Sequence, residues 1–567
     1  MNAFGANPND ALDDSAAIDA AVRALAPGDT LRFGRGIYLY TPTVVAERGD
    51  PATPSDDRYA GITIDDPNIT VAGAGRDGGG TVIRLDPDFG FGVSGLLRLN
   101  PGRGLEGFRV RDLTLDGSDV DARVVGVFVG AAKTGTAFHS NVVIERVRVE
   151  NTAASGVVTQ ERTRELVIED SIAEHTGFGY TGSGAEAFSG FVVDFARDAV
   201  VVNNQARDAG AFGFNIVTNP NDVALLGNLA TGNSQGGVIV QGGSGGANVG
   251  VPAEDRATHD ILVYANDLAA QGSTAIRVGN TGSTLRLTSD VVAGDNGIPA
   301  SAVRIGPNSG DVALSGFDYA GSLPTLATKT GTAAANTLNG TSAADLIHGF
   351  GGNDTISGGN RNDVLAGGAG RDTVRGGNGN DVALGGDEAD RVFGEIGNDI
   401  VSGGSGNDTV DGGTGNDLVV GGIGADTLLG QGGNDDLIGG SGIDALGGGA
   451  GSDRLRGGTG ADRLTGGDGV DRFDYDRPGE GASTEAITDF RAGDLLDIAD
   501  LLTGFAAGEE LDYVQAQAAS GGGTLVSVDR DGTGAAETWQ ALALLQGVGV
   551  STADLVESVV FTSGGGG

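Results

Sequence analysis

The sequence predicts an all-β chain in which two parallel solenoids with different repeat lengths follow one another. Two periodicities indicate this class: short strands recur about every 22–24 residues in the first half, and the second half repeats every nine residues. Glycine accounts for 105 of the 567 residues, far above the usual ~7%, but proline numbers only 14, which excludes a collagen-like repeat. A different glycine-rich repeat is therefore expected, and so are at least two domains.

The first predicted element is a short helix from about Ser15 to Leu25. Its apolar face consists of Ile18, Ala21, Val22 and Leu25. A helix at this place would cover the open end of the solenoid that follows it.

Four segments of the first half align with one another; they begin at Ser155, Ser189, Phe212 and Gly236. Three short strands in each period are typical of a right-handed parallel β-helix, and side chains alternate along the first strand of each segment. The inward set is Val157, Thr159, Phe191, Val193, Phe214, Ile216, Val238 and Val240. The outward set is Val158, Gln160, Val192, Asp194, Asn215, Val217, Ile239 and Gln241, and later coils add Arg277 and Arg304. Because neighbouring coils lie about 4.8 Å apart, the outward set predicts a long polar trough.

The second half contains fifteen consecutive units of nine residues from Gly340 to Asp474, such as GGSGNDTVD and GGTGNDLVV. The eighth residue is usually Leu, Ile, Val or Phe, and a weaker unit with Asn336 precedes the series. The sixth residue is always aspartate: Asp345, Asp354, Asp363, Asp372, Asp381, Asp390, Asp399, Asp408, Asp417, Asp426, Asp435, Asp444, Asp453, Asp462 and Asp471. A disordered glycine linker would have no such phase to keep.

This spacing predicts a roll that binds Ca²⁺. Glycine permits the positive φ and close backbone approach of a tight turn, while the last three residues of each unit form a short strand with one inward side chain. Two units then make one coil of 18 residues, and the aspartates and turn carbonyls of successive coils offer the oxygen ligands that Ca²⁺ prefers. The fifteen aspartates are the predicted metal ligands, with about thirteen sites between them. The repeat resembles the RTX parallel β-roll, whose signature is this nonapeptide.

Charge and composition exclude several classes of function. The formal net charge is -41, of which counting assigns -15 to residues 1–330 and -26 to residues 331–567, so nucleic acid is not an expected partner and cations are. There is no cysteine for a disulfide, and no apolar stretch long enough to span a membrane. The four histidines form no His/Cys cluster with zinc spacing.

The RTX resemblance implies export through type I secretion machinery and folding in extracellular calcium. The N-terminus carries no secretory signal pattern, and the segments 485–502 and 538–561 resemble the cap and export region of RTX proteins. We therefore expect a secreted, extracellular protein, with attachment to a cell surface left open. The expected domains are a β-helix (1–330), an RTX β-roll (331–475) and a C-terminal cap and secretion region (476–567).

The first half resembles a narrower family, the secreted mannuronan C-5-epimerases, which pair a β-helix with RTX modules. The resemblance covers roughly residues 1–475 and is carried by VRDLTLDG, NVVIERVRVEN, SGFVVDF and FGFNIVT, while the opening helix is similar to the capping helix of the pectate-lyase superfamily. The family's YGFDPHE motif aligns with SGVVTQE here. Ser155 then replaces the catalytic Tyr, Val158 the Asp and Gln160 the His, and the catalytic Lys aligns best with Arg123. Valine and glutamine cannot exchange a proton near neutral pH, so the motif is expected to be degenerate.

Other residues are candidates for a rebuilt catalytic site. They are Tyr180, His175 and Glu186 around a predicted insertion, together with Arg123 and Asp194. Candidates for substrate binding are Asn215, Gln241, Arg277 and Arg304, since amides and guanidinium groups can bind hydroxyls and carboxylates. Solvated surface residues are the competing interpretation of both sets.

Three functions remain open from the sequence. The first is a secreted calcium-binding RTX protein whose β-helix engages an acidic, alginate-like polysaccharide without the family's catalysis. The second is an active mannuronan C-5-epimerase or polyuronate lyase with a rebuilt site, and the third is a structural protein of an extracellular matrix or surface layer. A polygalacturonase-like hydrolase is disfavoured, because no adjacent aspartate pair is followed by a Gly-His-Gly strand.

Overall fold

The computed structural model of the protein divides into two compact units, Met1–Leu314 and Ser315–Gly567. It describes residues 5–8, 13–44, 59–76, 79–87, 95–99, 105–118, 124–130, 139–160, 163–177, 189–194, 196–217, 221–226, 228–241, 259–264, 266, 268, 276–278, 291–294, 303–305, 312–314, 326–475, 484–498, 514–519, 522–529, 539–546 and 559–560. No helix among these residues is long and apolar enough to cross a membrane.

The predicted opening helix is present as α1, Ser15–Arg23. Ile18 and Ala21 are buried, and Val22 and Leu25 pack against the same hydrophobic core. The helix ends two residues before the expected position, because the N–H of Ala24 turns back to the carbonyl of Ala21 at 3.1 Å.

The first unit consists of parallel strands in two long sheets. The strands of the nine-stranded sheet, called the trough sheet here, are Ile62–Ile64, Leu97–Leu99, Val127–Gly130, Val157–Gln160, Phe191–Asp194, Phe212–Val217, Gly236–Gln241, Ile276–Val278 and Val303–Ile305. The fifteen-stranded back sheet contains Thr30–Arg32, Gly36–Tyr40, Thr70–Ala72, Thr81–Leu85, Arg109–Asp116, Val142–Thr152, Thr163–Glu169, Ile172–Thr176, Ala196–Val202, Gln205–Arg207, Asn221–Leu226, Leu229–Thr231, His259–Tyr264, Val291–Gly294 and Val312–Leu314. Thr43–Val44 and Tyr59–Ala60 form a small antiparallel pair. The predicted right-handed parallel β-helix is confirmed.

The interior of the β-helix is apolar and ordered by stacking from coil to coil. All eight predicted inward side chains are buried, and the rings of Phe191 and Phe214 stack with their centroids 5.1 Å apart. At one bend, the side-chain oxygens of Asn228 and Asn266 each accept the backbone N–H of the asparagine one coil earlier, both at 2.9 Å. These bonds satisfy buried polar groups that would otherwise be costly, so the coils need no disulfide.

The outward face of the trough sheet differs from the expected polar trough. Val192 and Ile239 are buried, and so is Asn215. Burial of valine and isoleucine is favourable on this face as it is in the interior, because their apolar surface is removed from water. The face is therefore partly apolar.

The second unit consists of two sheets whose strands alternate along the chain. The first roll sheet contains Ala327–Thr332, Asp345–Gly351, Val364–Ala369, Val382–Asp387, Ile400–Ser405, Leu418–Gly424, Asp436–Gly442, Arg454–Thr459, Arg472–Asp474, Leu495–Asp497 and Val559–Val560. The second roll sheet contains Thr337–Asn339, Thr355–Asn360, Thr373–Asn378, Arg391–Ile396, Thr409–Thr414, Thr427–Gly432, Ala445–Ala450, Arg463–Asp468, Glu485–Ile487, Gln540–Leu545, Thr524–Val528 and Val514–Ala518. Strands that pair within a sheet are 18 residues apart in the nonapeptide region, as in Val382 opposite Ile400.

The eighth residue of every unit forms the core of this roll. The buried set is Ile347, Ile356, Leu365, Val374, Ala383, Val392, Val401, Val410, Val419, Leu428, Leu437, Leu446, Leu455, Leu464 and Phe473. One inward side chain per nine residues makes a thin core, so other interactions must hold the turns. The described strands after residue 476 extend both roll sheets.

Candidate calcium sites and the trough of the β-helix

The sixth-position aspartates lie in two rows, one at each edge of the roll. The first Asp row is Asp345, Asp363, Asp381, Asp399, Asp417, Asp435, Asp453 and Asp471, and the second Asp row is Asp354, Asp372, Asp390, Asp408, Asp426, Asp444 and Asp462. Within a row, Oδ1 of each aspartate after the first accepts the backbone N–H of the aspartate one coil earlier, at 2.7 to 3.1 Å. The carboxylates are thus fixed in place by the fold itself.

The second carboxylate oxygen of these residues is the feature that points to a cation. Oδ2 is buried and has no hydrogen-bond partner among the described residues in Asp354, Asp363, Asp372, Asp381, Asp399, Asp417, Asp435, Asp444, Asp453 and Asp462. A buried carboxylate oxygen without a donor is costly, and a hard cation removes that cost. The described part of the chain brings no three acidic or histidine side chains together, so turn carbonyls would have to complete the oxygen shell of Ca²⁺.

Glycine is required where these turns approach one another. The first residue of a unit lies against the aspartate at the sixth position of the same unit. A Cβ on Gly358, for example, would collide with Oδ2 of Asp363. At the fourth position Gly415 has a φ of +130°, and a Cβ there would collide with the carbonyl oxygen of Gly397 in the coil before it. A side chain at either position would force its neighbours apart.

Burial without a counter-ion raises the pKa values of these carboxyl groups. Desolvation raises the pKa of Asp363 to about 7, and a nearby Asp345 carboxylate adds to the rise, while the hydrogen bond from the Asp345 backbone opposes it. The same causes, burial first, raise the pKa of Asp399 to about 8 and that of Asp453 to about 6. Protons and Ca²⁺ therefore compete for the same oxygens.

We expect the calcium-free protein to be more stable in mild acid than at pH 8. The folded pKa values lie above the ordinary 3.8, so this stabilisation is complete below about pH 4 and is lost as the pH rises through about 6 to 8. In calcium-free buffer, the circular dichroism of the full chain should therefore gain β-sheet signal from the roll as the pH falls from 8 to 5. In saturating calcium the trend should reverse, because protonation weakens the ligands. A β-sheet signal that stays constant or falls on acidification without calcium would contradict this expectation.

In the β-helix, the position of the expected catalytic aspartate lies in an apolar row. Val158 pairs in register with Phe128 on one side and with Val192 on the other. Val158 and Phe128 pack against a small buried cluster of Val125 and Ala154. No proton-transferring group occupies this position, and its neighbours on adjacent coils supply none either.

The same register continues along the trough sheet. Val192 pairs with Asn215, and Asn215 with Ile239. Ile239 in turn pairs with Arg277, and Arg277 with Arg304. The two arginines therefore occupy equivalent positions on neighbouring coils, as the sequence suggested.

The other candidate residues are placed unevenly. Ser155 is buried just before the strand Val157–Gln160, and Gln160 ends that strand opposite Gly130. Asp194 pairs with Val217, and Val217 with Gln241. Arg123, Tyr180 and Glu186 lie outside the described residues.

His175 lies in the strand Ile172–Thr176 of the back sheet, not in the trough sheet. Its Nε2 is 3.7 Å from Oδ2 of Asp208 on the next coil. His175 is thus the one member of the predicted replacement set whose surroundings are described, and its partner there is a surface carboxylate.

Sequence reasoning missed one member of the first Asp row. Oδ1 of Asp494 accepts the backbone N–H of Asp471 at 3.1 Å, the same bond that Asp471 makes with Asp453. Asp494 comes 23 residues after Asp471 instead of 18, so the nonapeptide count passes over it. The segment DFRAGD, which ends at Asp494, keeps aspartate at the sixth place and could have been found by that signal alone.

Family models match both halves of the chain. A model described as "Right handed beta helix region" matches residues 113–250, and one described as "RTX calcium-binding nonapeptide repeat (4 copies)" matches overlapping segments from 330 to 477. The chain is thus a right-handed β-helix followed in the sequence by RTX repeats. RTX nonapeptide repeats bind calcium, so Ca²⁺ is a cofactor of this chain.

The particular proteins that the chain resembles are mannuronan C5-epimerases of Azotobacter vinelandii, which confirms the resemblance predicted from the sequence. The chain is 34% identical to AlgE3 over 243 residues, 42% of this chain and 12% of that protein, and 33% identical to AlgE4 over 223 residues, 39% of this chain and 36% of that protein. Alginate lyase 7 of the same organism is 32% identical over 222 residues, 39% of this chain and 23% of the lyase. Each match thus spans little more than a third of the relative, or less.

Among solved structures, the A-module of AlgE4 covers 77% of this chain and 95% of the module, with 21% identity and a TM-score of 0.40.

Proposed function

We propose that this chain is an extracellular, calcium-stabilised protein whose β-helix binds an acidic polyuronate and does not use the epimerase family's catalytic motif. One observation carries the proposal: Val158, at the place of the family's catalytic aspartate, packs with Phe128 against a small apolar cluster. The fifteen sixth-position aspartates, with turn carbonyls, are the proposed calcium ligands.

The loss of catalysis follows from what C-5 epimerisation needs. A base must remove the C-5 proton, an acid must return one from the other face of the sugar, and the uronate carboxylate must be neutralised. Valine and phenylalanine have no ionisable group and cannot act as a base or an acid. A charged base at this position would also be disfavoured, because the surroundings are apolar. Arg123 could neutralise a carboxylate, but a guanidinium does not exchange protons near neutral pH.

Binding can persist without catalysis, because other positions of the same face carry it. Arg277 and Arg304 occupy paired positions on adjacent strands, which are about 4.8 Å apart, and an arginine is the residue type that binds carboxylates of a polyuronate best. Gln241 offers an amide for sugar hydroxyls one coil further along the stack, and Asn215 is the buried member of this set. The first half has a net charge of -15, so attraction to a polyanion must come from such local cations.

The proposed cellular context follows from the calcium-dependent half. A roll whose carboxylates need Ca²⁺ can pass unfolded through type I secretion machinery and fold outside, where calcium is abundant. We propose the boundaries 1–330, 331–475 and 476–567 for the β-helix, the roll and the cap with its export region.

The binding proposal is tested with mannuronate hexamers and the full chain in saturating calcium. Arg277→Gln combined with Arg304→Gln should weaken binding at least about tenfold in isothermal titration calorimetry, since each charge-assisted contact contributes about 1.5 kcal/mol or more. Arg35→Gln, an exposed arginine near the other end of the β-helix, is the matched control and should bind like the unaltered chain. Unaltered affinity in the double variant would refute binding through these two arginines. No binding by the wild type would refute polyuronate binding itself and favour a purely structural role.

A further inference from the structure

One more turn follows the fifteen nonapeptides and stacks on the last of them. The segment from Asp489 to Asp494, DFRAGD, continues the first Asp row through the bond from the Asp471 N–H to Oδ1 of Asp494. The carboxylate of Asp489 holds the turn below it by accepting the backbone N–H groups of Gly466 at 2.9 Å and Gly467 at 2.8 Å. We call this segment the closing turn.

The closing turn lacks the glycines that allow close approach elsewhere. In the preceding coil, a Cβ on Gly467 would collide with the carbonyl oxygen of Gly449, and a Cβ on Gly469 with that of Gly451. The corresponding second and fourth residues of the closing turn are Phe490 and Ala492, which do carry a Cβ. The closing turn thus carries a Cβ at both places, and the carbonyls of Gly467 and Gly469 meet a side-chain group instead.

That group is the guanidinium of Arg491. Its Nη2 donates to the carbonyl oxygens of Gly467 and, at 3.2 Å, Gly469, and lies 3.8 Å from Oδ2 of Asp471. Its Nη1 lies 3.7 Å from Oδ1 of Asp468. The backbone of Arg491 is fixed as well, since its N–H donates to Oδ2 of Asp494 at 2.8 Å.

The arginine is specific to this layer. None of the fifteen nonapeptides has lysine or arginine at the third position, which Arg491 occupies in the closing turn. Its donors face two turn carbonyls and a sixth-position carboxylate, the kinds of oxygen that every earlier layer offers to a cation. A guanidinium stays charged at any relevant pH and repels a second cation at this distance.

We propose that Arg491 takes the place of calcium in the layer between Asp471 and Asp494, so that the closing turn carries its own permanent cation and binds no Ca²⁺. The inference rests on the proposed assignment of the aspartates as calcium ligands. Thirteen layers in the two Asp rows then depend on the metal, and the layer that joins the roll to its cap does not.

The first test counts calcium ions on the full chain in saturating calcium by native mass spectrometry, which resolves single ions. Arg491→Gln should bind one calcium more than the wild type, because the same oxygens become available once the guanidinium is gone. Arg463→Gln, which removes an exposed arginine from the strand Arg463–Asp468, is the matched control and should leave the count unchanged. Equal counts in the wild type and Arg491→Gln would overturn the proposal.

A second variant keeps the test decisive if Arg491→Gln does not fold. Asp494→Asn retains the acceptor for the Asp471 N–H but removes a charge from the closing layer. The count should equal that of the wild type, and a loss of one ion would show that calcium does bind there. Failure of the underlying ligand assignment would look different, since the wild type would then bind far fewer than about thirteen ions.

Discussion

Removal of calcium is expected to unfold the roll, residues 331–475, while the β-helix keeps its structure. Ten described aspartates bury a carboxylate oxygen without a hydrogen-bond donor. Each such charge costs several kcal/mol when no cation compensates it, and the sum exceeds the 5–15 kcal/mol that typically stabilises a domain. The thin core of one side chain per nine residues cannot offset this cost.

Hydrogen exchange on the full chain measures both halves in one experiment. After dialysis against a chelator at about pH 8, amides of the nonapeptide strands should exchange at least 10³-fold faster, while those of the strands Val142–Thr152 and Ala196–Val202 should stay protected. Millimolar Ca²⁺ should restore protection and the same concentration of Mg²⁺ should not, because Mg²⁺ demands a stricter octahedral shell. Full protection of the nonapeptide strands in chelator would disprove calcium-dependent folding.

The second large effect is an absence of epimerase turnover. A positioned base and acid each contribute about 10²–10⁴-fold, so a chain with Ser155, Val158 and Gln160 at the motif positions should run at least about 10⁴-fold below an ordinary enzyme rate. Incubation with polymannuronate followed by proton NMR reports both C-5 inversion and unsaturated ends, which separates epimerase from lyase activity.

A turnover of about 1 s⁻¹ or more would contradict this expectation. In that case, single substitutions Tyr180→Phe, His175→Ala and Glu186→Gln would show whether the predicted insertion supplies the chemistry, and Asp194→Asn would test the trough strand. Activity that survives all four would exclude both sources.

The structure of the nonapeptide region could be predicted almost entirely from the sequence. Aspartate recurs at one spacing, and every unit forms the same turn and the same short strand. The eighth-position core and the 18-residue pairing follow directly from that phase. Asp494 was not predicted, because an insertion places it 23 residues after Asp471 instead of 18. The hydrogen bond between the two coils nevertheless keeps it in the same row. Spatial register is set by hydrogen bonds between coils, and sequence spacing reports it only where no insertion intervenes.

In the β-helix, alternation predicted the inward set correctly but not the character of the outward set. Val158, Val192 and Ile239 were read as lining a polar trough, yet Val192 and Ile239 are buried and Val158 joins an apolar cluster. Alternation assigns a side chain to a face of the sheet, whereas exposure depends on what else the chain lays over that face. The period of the sequence alone therefore cannot predict whether an outward side chain is exposed.

Each aspartate N–H binds the carboxylate one coil later, so the roll can change its length only in whole nonapeptide units if these bonds are to be kept. A gain or loss of 18 residues adds or removes a whole coil and leaves every remaining bond in place. A change of nine residues moves all later strands to the opposite sheet, and Asp471 and the closing turn then move together to the other edge of the roll. A double repeat therefore lengthens the roll and leaves its C-terminal end in the same orientation, whereas a single repeat exchanges the two sheets for everything that follows.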